Sequence, residues 1–160
     1  TFGLFYGGLK KSYLKKSILK SINTKNYGNP NLSDYRHVTL KFFESRLDTV
    51  IHKANFSLSI QEASQLILHG HVLVNGKPVK TKSYHLSNND LIEIAHNKKS
   101  RALVKKSIDR SNFWPITPKH LLVNYNTLQI LFAYQDDSNL MPVFNHYLNI
   151  DSVIANIKKG

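Results

Sequence analysis

The stretch Ser59 to Val79, SIQEASQLILHGHVLVNGKPV, limits what this chain can fold into more than any other. Ser59 and Glu62 have the capping-box spacing: the serine hydroxyl accepts from the third backbone N–H, and the glutamate reaches back. The helix they open turns Ile60, Ala63, Leu66 and Ile67 inward and stops at Gly70, which tolerates the left-handed closing conformation. Directly afterwards, Val72-Leu73-Val74 and Val79 flank Asn75-Gly76, the dipeptide that takes positive φ at both central positions of a tight hairpin. Upstream, the apolar residues Leu40, Phe43, Leu47, Val50, Ile51 and Ala54 recur every three or four positions, which predicts one helix from Leu40 to Ala54, broken by Asn55. Downstream, the turn Ser87-Asn88-Asn89-Asp90 leads to a third strand, Leu91 to Ile94. Two helices followed by a small sheet make an α+β unit.

Charge indicates a partner. The net charge is +12, with 22 Lys and Arg against 10 acids. Residues 1–53 hold ten basic groups against three acids, 54–110 nine against four, and 111–160 three against three. Such a distribution favours a polyanion, because each lysine set against a phosphate releases condensed counterions. No cysteine is present, which excludes disulfides and thiolate metal sites. The apolar runs are too short to span a bilayer, and nothing reads as a secretory signal. The sequence starts at Thr1, which fits a processed or partial chain.

Phe2 to Leu9 reads as an aromatic, glycine-punctuated loop, and Lys10 to Ile22 as a helix with Leu14, Ile18 and Ile22 on one line. Its lysines surround the axis, which suits RNA phosphates better than a membrane surface. Asn23 to Asn31 reads as a linker. His69 and His71 straddle the helix-ending glycine and should not share a face, so they are read as polar donors and not as metal ligands. Lys77, Lys80 and Lys82 follow the hairpin, and Lys98, Lys99, Arg101, Lys105 and Lys106 form a second basic run. Glu44 and Asp48 lie one turn apart; salt bridging, with Asp48 reaching Lys41, Arg46 or Lys53, explains them better than paired catalytic carboxylates. His120 to Tyr125 and Thr127 to Tyr134 read as strands, Asp136 to Asn139 as a turn, Asp151 to Lys159 as a short helix, and Trp114 as a packing residue. No nucleophile and base pair, phosphate-binding glycine loop or metal cluster can be assembled, so no enzyme, cofactor or small-molecule substrate is expected.

From Glu44 to Ile94 the sequence resembles the S-four RNA-binding domain, and most closely the version in the small-subunit ribosomal protein family of that name. The residues that carry the likeness are Glu44-Ser45-Arg46-Leu47-Asp48, Ala63, Gln65-Leu66, His69-Gly70-His71-Val72, Val74-Asn75-Gly76-Lys77, Val79, Ser83-Tyr84 and Asp90. Phe5-Tyr6-Gly7 before the unit, and Leu122 to Tyr125, Thr127-Leu128, Pro142, Asn145 and Leu148 after it, are similar to the flanks in that family. The second helix departs from the family pattern: Ile60 and Ser64 stand where arginines are usual.

The resemblance implies an S-four module at 44–106, inserted in a body made of a basic helical part at 1–43 and a β-rich part with a short terminal helix at 107–160. It implies a structural constituent of the small ribosomal subunit, bound to small-subunit rRNA and to neighbouring ribosomal proteins, with no membrane partner. The residues expected to meet RNA are Lys10, Lys11, Lys15, Lys16, Arg46, Lys53, His69, His71, Lys77, Lys80, Lys82 and Arg101. A free-standing S-four-domain factor is the alternative. Eighteen of the 22 basic residues are lysine and asparagine is abundant, which suits a mitochondrial ribosome, with a plastid ribosome as the alternative.

Overall fold

The computed structural model describes residues 8, 10, 12–16, 19, 39–111 and 117–134. The expected N-terminal loop apart from residue 8, the linker, Lys11, Trp114, the 136–139 turn and the 151–159 helix lie outside these residues. Backbone contacts divide the chain into two units, Thr1–Phe43 with Asp136–Gly160, and Glu44–Gln135. In the first unit residues 12–16 are helical, with Leu14 buried and Lys10, Lys15 and Lys16 exposed.

The second unit contains helices α1 (Leu47–Lys53), α2 (Ile60–Leu68) and α3 (Lys98–Arg110), and strands β1 (Val72–Val74), β2 (Lys77–Pro78), β3 (Leu91–Ile94), β4 (Leu121–Asn124) and β5 (Gln129–Phe132). The strands form one antiparallel sheet in the order β2-β1-β3-β5-β4. Together with the helices this gives the expected α+β class. Period-two alternation sends Val72, Val74, Ile92, Ile94, Ile130 and Phe132 to one face, where they join Leu47, Val50, Ile51, Phe56, Ala63 and Ile67 in the core. Burying each large apolar side chain fully contributes about 1.5–3 kcal/mol.

α1 departs from the single helix that the apolar spacing predicts. Residues 39–44 are helical, but Arg46 is extended (φ −69°, ψ 133°) and forms an isolated antiparallel bridge with His85. The Leu47 N–H donates to the Tyr84 carbonyl (2.8 Å) and the Leu86 N–H to the Ser45 carbonyl (2.8 Å). The break therefore exchanges intrahelical bonds for bonds to the 82–86 segment. Leu40, Phe43, Leu47, Val50, Ile51 and Ala54 are all still buried, which is why the periodicity does not betray the interruption. The helix ends as expected, with Asn55 at φ 60°.

α2 matches its expected signals closely. The Ser59 hydroxyl accepts from the Glu62 N–H (3.1 Å), but the Glu62 carboxylate accepts from the Leu58 N–H (2.7 Å), one residue before the cap. At the other end Gly70 has φ 75°, the Gly70 N–H donates to Ile67 (2.9 Å) and the His71 N–H to Leu66 (3.0 Å). This is the Schellman pairing that satisfies the last carbonyls. Asn75 (φ 50°) and Gly76 (φ 75°) make the hairpin turn, and the Asn75 amide clamps it by donating to Asp90 (2.8 Å) and accepting from the Leu91 N–H (2.9 Å).

Residues 107–135, placed by the sequence with the C-terminal part of the body, share a unit with the module. The cause is strand register: β5 pairs with β3 (Ile92 opposite Ile130), and β4 closes the edge (Val123 opposite Ile130). Leu128 turns between them at φ 59°.

Candidate nucleic-acid interface

The expected RNA-contacting residues separate into two groups. Arg46 is buried and forms a two-point pair with Asp48: Nη2 lies 2.7 Å from Oδ2 and Nε 3.1 Å from Oδ1. Both side chains are 3% exposed. Lys53 places its ammonium 2.6 Å from both oxygens of the buried Glu44. Arg101 is half-buried and donates from Nη2 to the Thr127 carbonyl (2.9 Å), tying α3 to the β4–β5 turn. Arg46, Lys53 and Arg101 therefore hold the fold together, where the sequence leads one to expect surface cations. Charges removed from water need partners, and here carboxylates and a carbonyl supply them.

His120 completes the buried cluster. Its Nε2 is 3.7 Å from a Glu44 oxygen, too far for a hydrogen bond, and its ring packs against Phe132 (5.8 Å) and Tyr134 (5.5 Å). Burial pushes its pKa below the ordinary 6.5; Glu44 opposes that shift and Lys53 adds to it.

The second group lies at the C-terminal end of α2 and in and after the hairpin, exposed except for His71. His69 caps the helix, and Gly70 turns the chain so that the His71 ring lies 6.2 Å from that of His69. The two rings are thus neighbours, contrary to the expectation that the intervening glycine separates their faces. Among the described residues no group of three His, Cys, Asp or Glu forms there or elsewhere. Lys80 crosses the same helix end, its Cε 3.5 Å from where a Cβ on Gly70 would stand. Lys77, Lys80 and Lys82 are exposed, and among the described residues none pairs with a carboxylate. Tyr84, 39% exposed, lies beside them in sequence.

His71 is half-buried and its Nδ1 sits 2.7 Å from the Ser100 hydroxyl of α3. Its pKa is lowered first by burial, then by the positive charges of His69 and Lys99. It is a neutral group that fixes α3 beside the end of α2. Ile60 and Ser64, at the positions where arginine is usual, are half-buried. Lys10, Lys15 and Lys16 are exposed in the other unit.

α3 is the element that the sequence reading misses, since its lysines register only as a charge run. The signals exist: Asn97 accepts from the Ser100 N–H (2.6 Å) as a cap, and Ser100, Val104 and Ser107 form a buried seam at helical spacing. Two of its three residues are serine, so hydrophobic periodicity alone does not find it. The exposed cations and hydroxyls of this unit can donate to phosphates and 2′-hydroxyls. No described helix is long and apolar enough to cross a membrane.

Residues 45–92 match the S4 domain family. The small ribosomal subunit protein uS4 of Kosmotoga olearia is 33% identical over 128 residues, 80% of this chain and 57% of the relative. That of Acidothermus cellulolyticus is 46% identical over 93 residues, 58% of this chain and 44% of the relative. That of Brucella suis biovar 1 is 30% identical over 149 residues, 88% of this chain and 69% of the relative. The chain spans about half the length of the first curated relatives it matches.

Proposed function

The chain belongs to the uS4 family of small ribosomal subunit proteins, and on that premise we propose that it is a structural constituent of a small ribosomal subunit. In this reading it binds a folded region of small-subunit rRNA, meets neighbouring ribosomal proteins and supports subunit assembly, with no catalytic step of its own. The observation that carries the proposal is the set of exposed cations Lys77, Lys80 and Lys82, which have no carboxylate partner among the described residues, with Lys80 lying against the Schellman end of α2 that carries His69. Lysines held on a hairpin and a helix end suit recognition by shape, through phosphates and 2′-hydroxyls, because base edges in A-form RNA are hard to reach. Lys10, Lys15 and Lys16 supply further phosphate contacts from the body, which this reading builds from the N- and C-terminal segments. A mitochondrial ribosome is the proposed location, supported by the lysine and asparagine bias of the sequence.

Sedimentation of a tagged chain through a high-salt gradient tests the proposal. A subunit constituent stays with the small subunit in the mitochondrial fraction. Release at high salt, or co-sedimentation with tRNA, overturns the proposal in favour of a free-standing factor.

A further inference from the structure

The outward face of α3 packs on nothing among the described residues. Lys98, Lys99, Ala102, Leu103, Lys105, Lys106, Asp109 and Arg110 are exposed, while the seam Ser100, Val104 and Ser107 is buried. On a helix these exposed residues fall in two adjacent rows. Lys99, Lys106 and Arg110 stand in one, and Lys98 and Lys105 in the other, each seven-residue step rising about 10 Å. Among the described residues none of the five cations forms an ion pair, and Asp109 is the one acid in the helix. We propose that this face is a second RNA-binding surface that takes the phosphate backbone of a duplex stem, continuous with the His69–His71 end of α2. It rests on the ribosomal reading above.

Three observations select duplex RNA over other acidic partners. Protein interfaces are centred on aromatic or large apolar anchors and are depleted in lysine, whereas this face offers lysines around a single exposed leucine, Leu103. Single-stranded RNA needs aromatic platforms on which bases stack, and α3 contains no aromatic residue. A backbone of fixed spacing rewards a rigid cationic rod, because ordering costs are met before binding. α3 is held as such a rod by three polar ties: Ser100 to His71 (2.7 Å), Ser107 to Glu62 (3.0 Å) and Arg101 to the Thr127 carbonyl (2.9 Å). The first tie joins α3 directly to the end of α2, so the exposed cations of α3 begin beside His69 and His71.

The test is the salt dependence of binding by the full chain, measured with a small-subunit rRNA transcript, a plain RNA duplex and oligouridine. The variant replaces Lys98, Lys99, Lys105, Lys106 and Arg110 by glutamine. Since each phosphate contact contributes about 0.9 to the slope of log K against log[salt], the variant is expected to lose about three to four units on transcript and duplex. Affinity near physiological salt should fall roughly 100-fold, with an unchanged unfolding midpoint. A companion with Lys98, Lys99, Lys105 and Lys106 replaced by arginine should keep the slope. An unchanged slope in the glutamine variant while the wild-type chain binds the transcript overturns the α3 proposal alone. So does an equal loss on oligouridine. A wild-type chain that fails to bind any small-subunit transcript overturns the ribosomal reading first, and this one with it.

Discussion

Two sets of cations in the same unit have opposite fates. At the two ends of α1, Arg46 is paired with Asp48 and Lys53 with Glu44 at 2.6–2.7 Å, His120 lying beside Glu44. In and just after the hairpin, Lys77, Lys80 and Lys82 stand exposed, with no such partner among the described residues. The contrast shows that net charge measures binding capacity poorly. A cation can bind phosphate only where the fold has not already given it a carboxylate, and in this chain the carboxylates sit beside some of the residues that family resemblance would nominate as contacts.

Breaking the buried set should have the largest effect. Asp48→Ala removes the two-point carboxylate partner of the buried Arg46 guanidinium, and the expected loss is about 3–5 kcal/mol in urea unfolding. The double change Arg46→Met with Asp48→Leu should restore most of that loss, since well-packed apolar residues replace buried pairs at little cost. Failure of the rescue would show that the two-point pair fixes the 45–48 break and does not merely fill space.

Acidification should weaken the fold by a smaller amount. His120, His52 and His71 all have pKa values lowered below 6.5, burial being the largest cause for each. The unfolded chain then binds more protons than the folded one below that value. The stability they contribute is present above pH 6.5 and lost as pH falls through the folded values. The urea midpoint should decrease from pH 7.5 to pH 5, and His120→Phe, which keeps the packing on Phe132 and Tyr134, should flatten the decline. An unaltered profile would remove His120 from the account.

Ser59→Ala removes the cap of α2 and should cost about 1 kcal/mol. RNA affinity should change little so long as the helix end at Gly70 persists. The smallest effect on stability belongs to the exposed set. Replacing Lys77, Lys80 and Lys82 by glutamine should leave stability within about 0.5 kcal/mol, yet lower the salt slope of RNA binding by about two to three units. A large stability change there would erase the distinction between the two sets.

Much of the fold was legible because its signals are local. The Ser59 cap, the stop at Gly70, the Asn75-Gly76 turn and the strand Leu91 to Ile94 each depend on residues within a few positions of one another. What escaped depends on distant partners. The break at Arg46 exists because residues 82–86 lie alongside, and β4 and β5 join the module because β5 finds β3. α3 hid behind a three-residue seam of which two are serine. The site was legible in part for the same reason. Lys77, Lys80 and Lys82 are exposed in and just after the hairpin, and the Arg46–Asp48 pair is one of the local salt bridges expected of Asp48, whereas Lys53 and Arg101 are engaged by groups 9 and 26 residues away.

Ultraviolet crosslinking of the chain in cells, followed by stringent purification, sequencing of the attached RNA and mapping of the crosslinked peptides, tests the central claim most directly. The account predicts reads concentrated on a small-subunit rRNA, with crosslinked peptides covering 69–82 and 98–110 and none centred on Arg46 or Lys53. Reads dominated by tRNA or large-subunit RNA, or crosslinks centred on the buried pair, would contradict it.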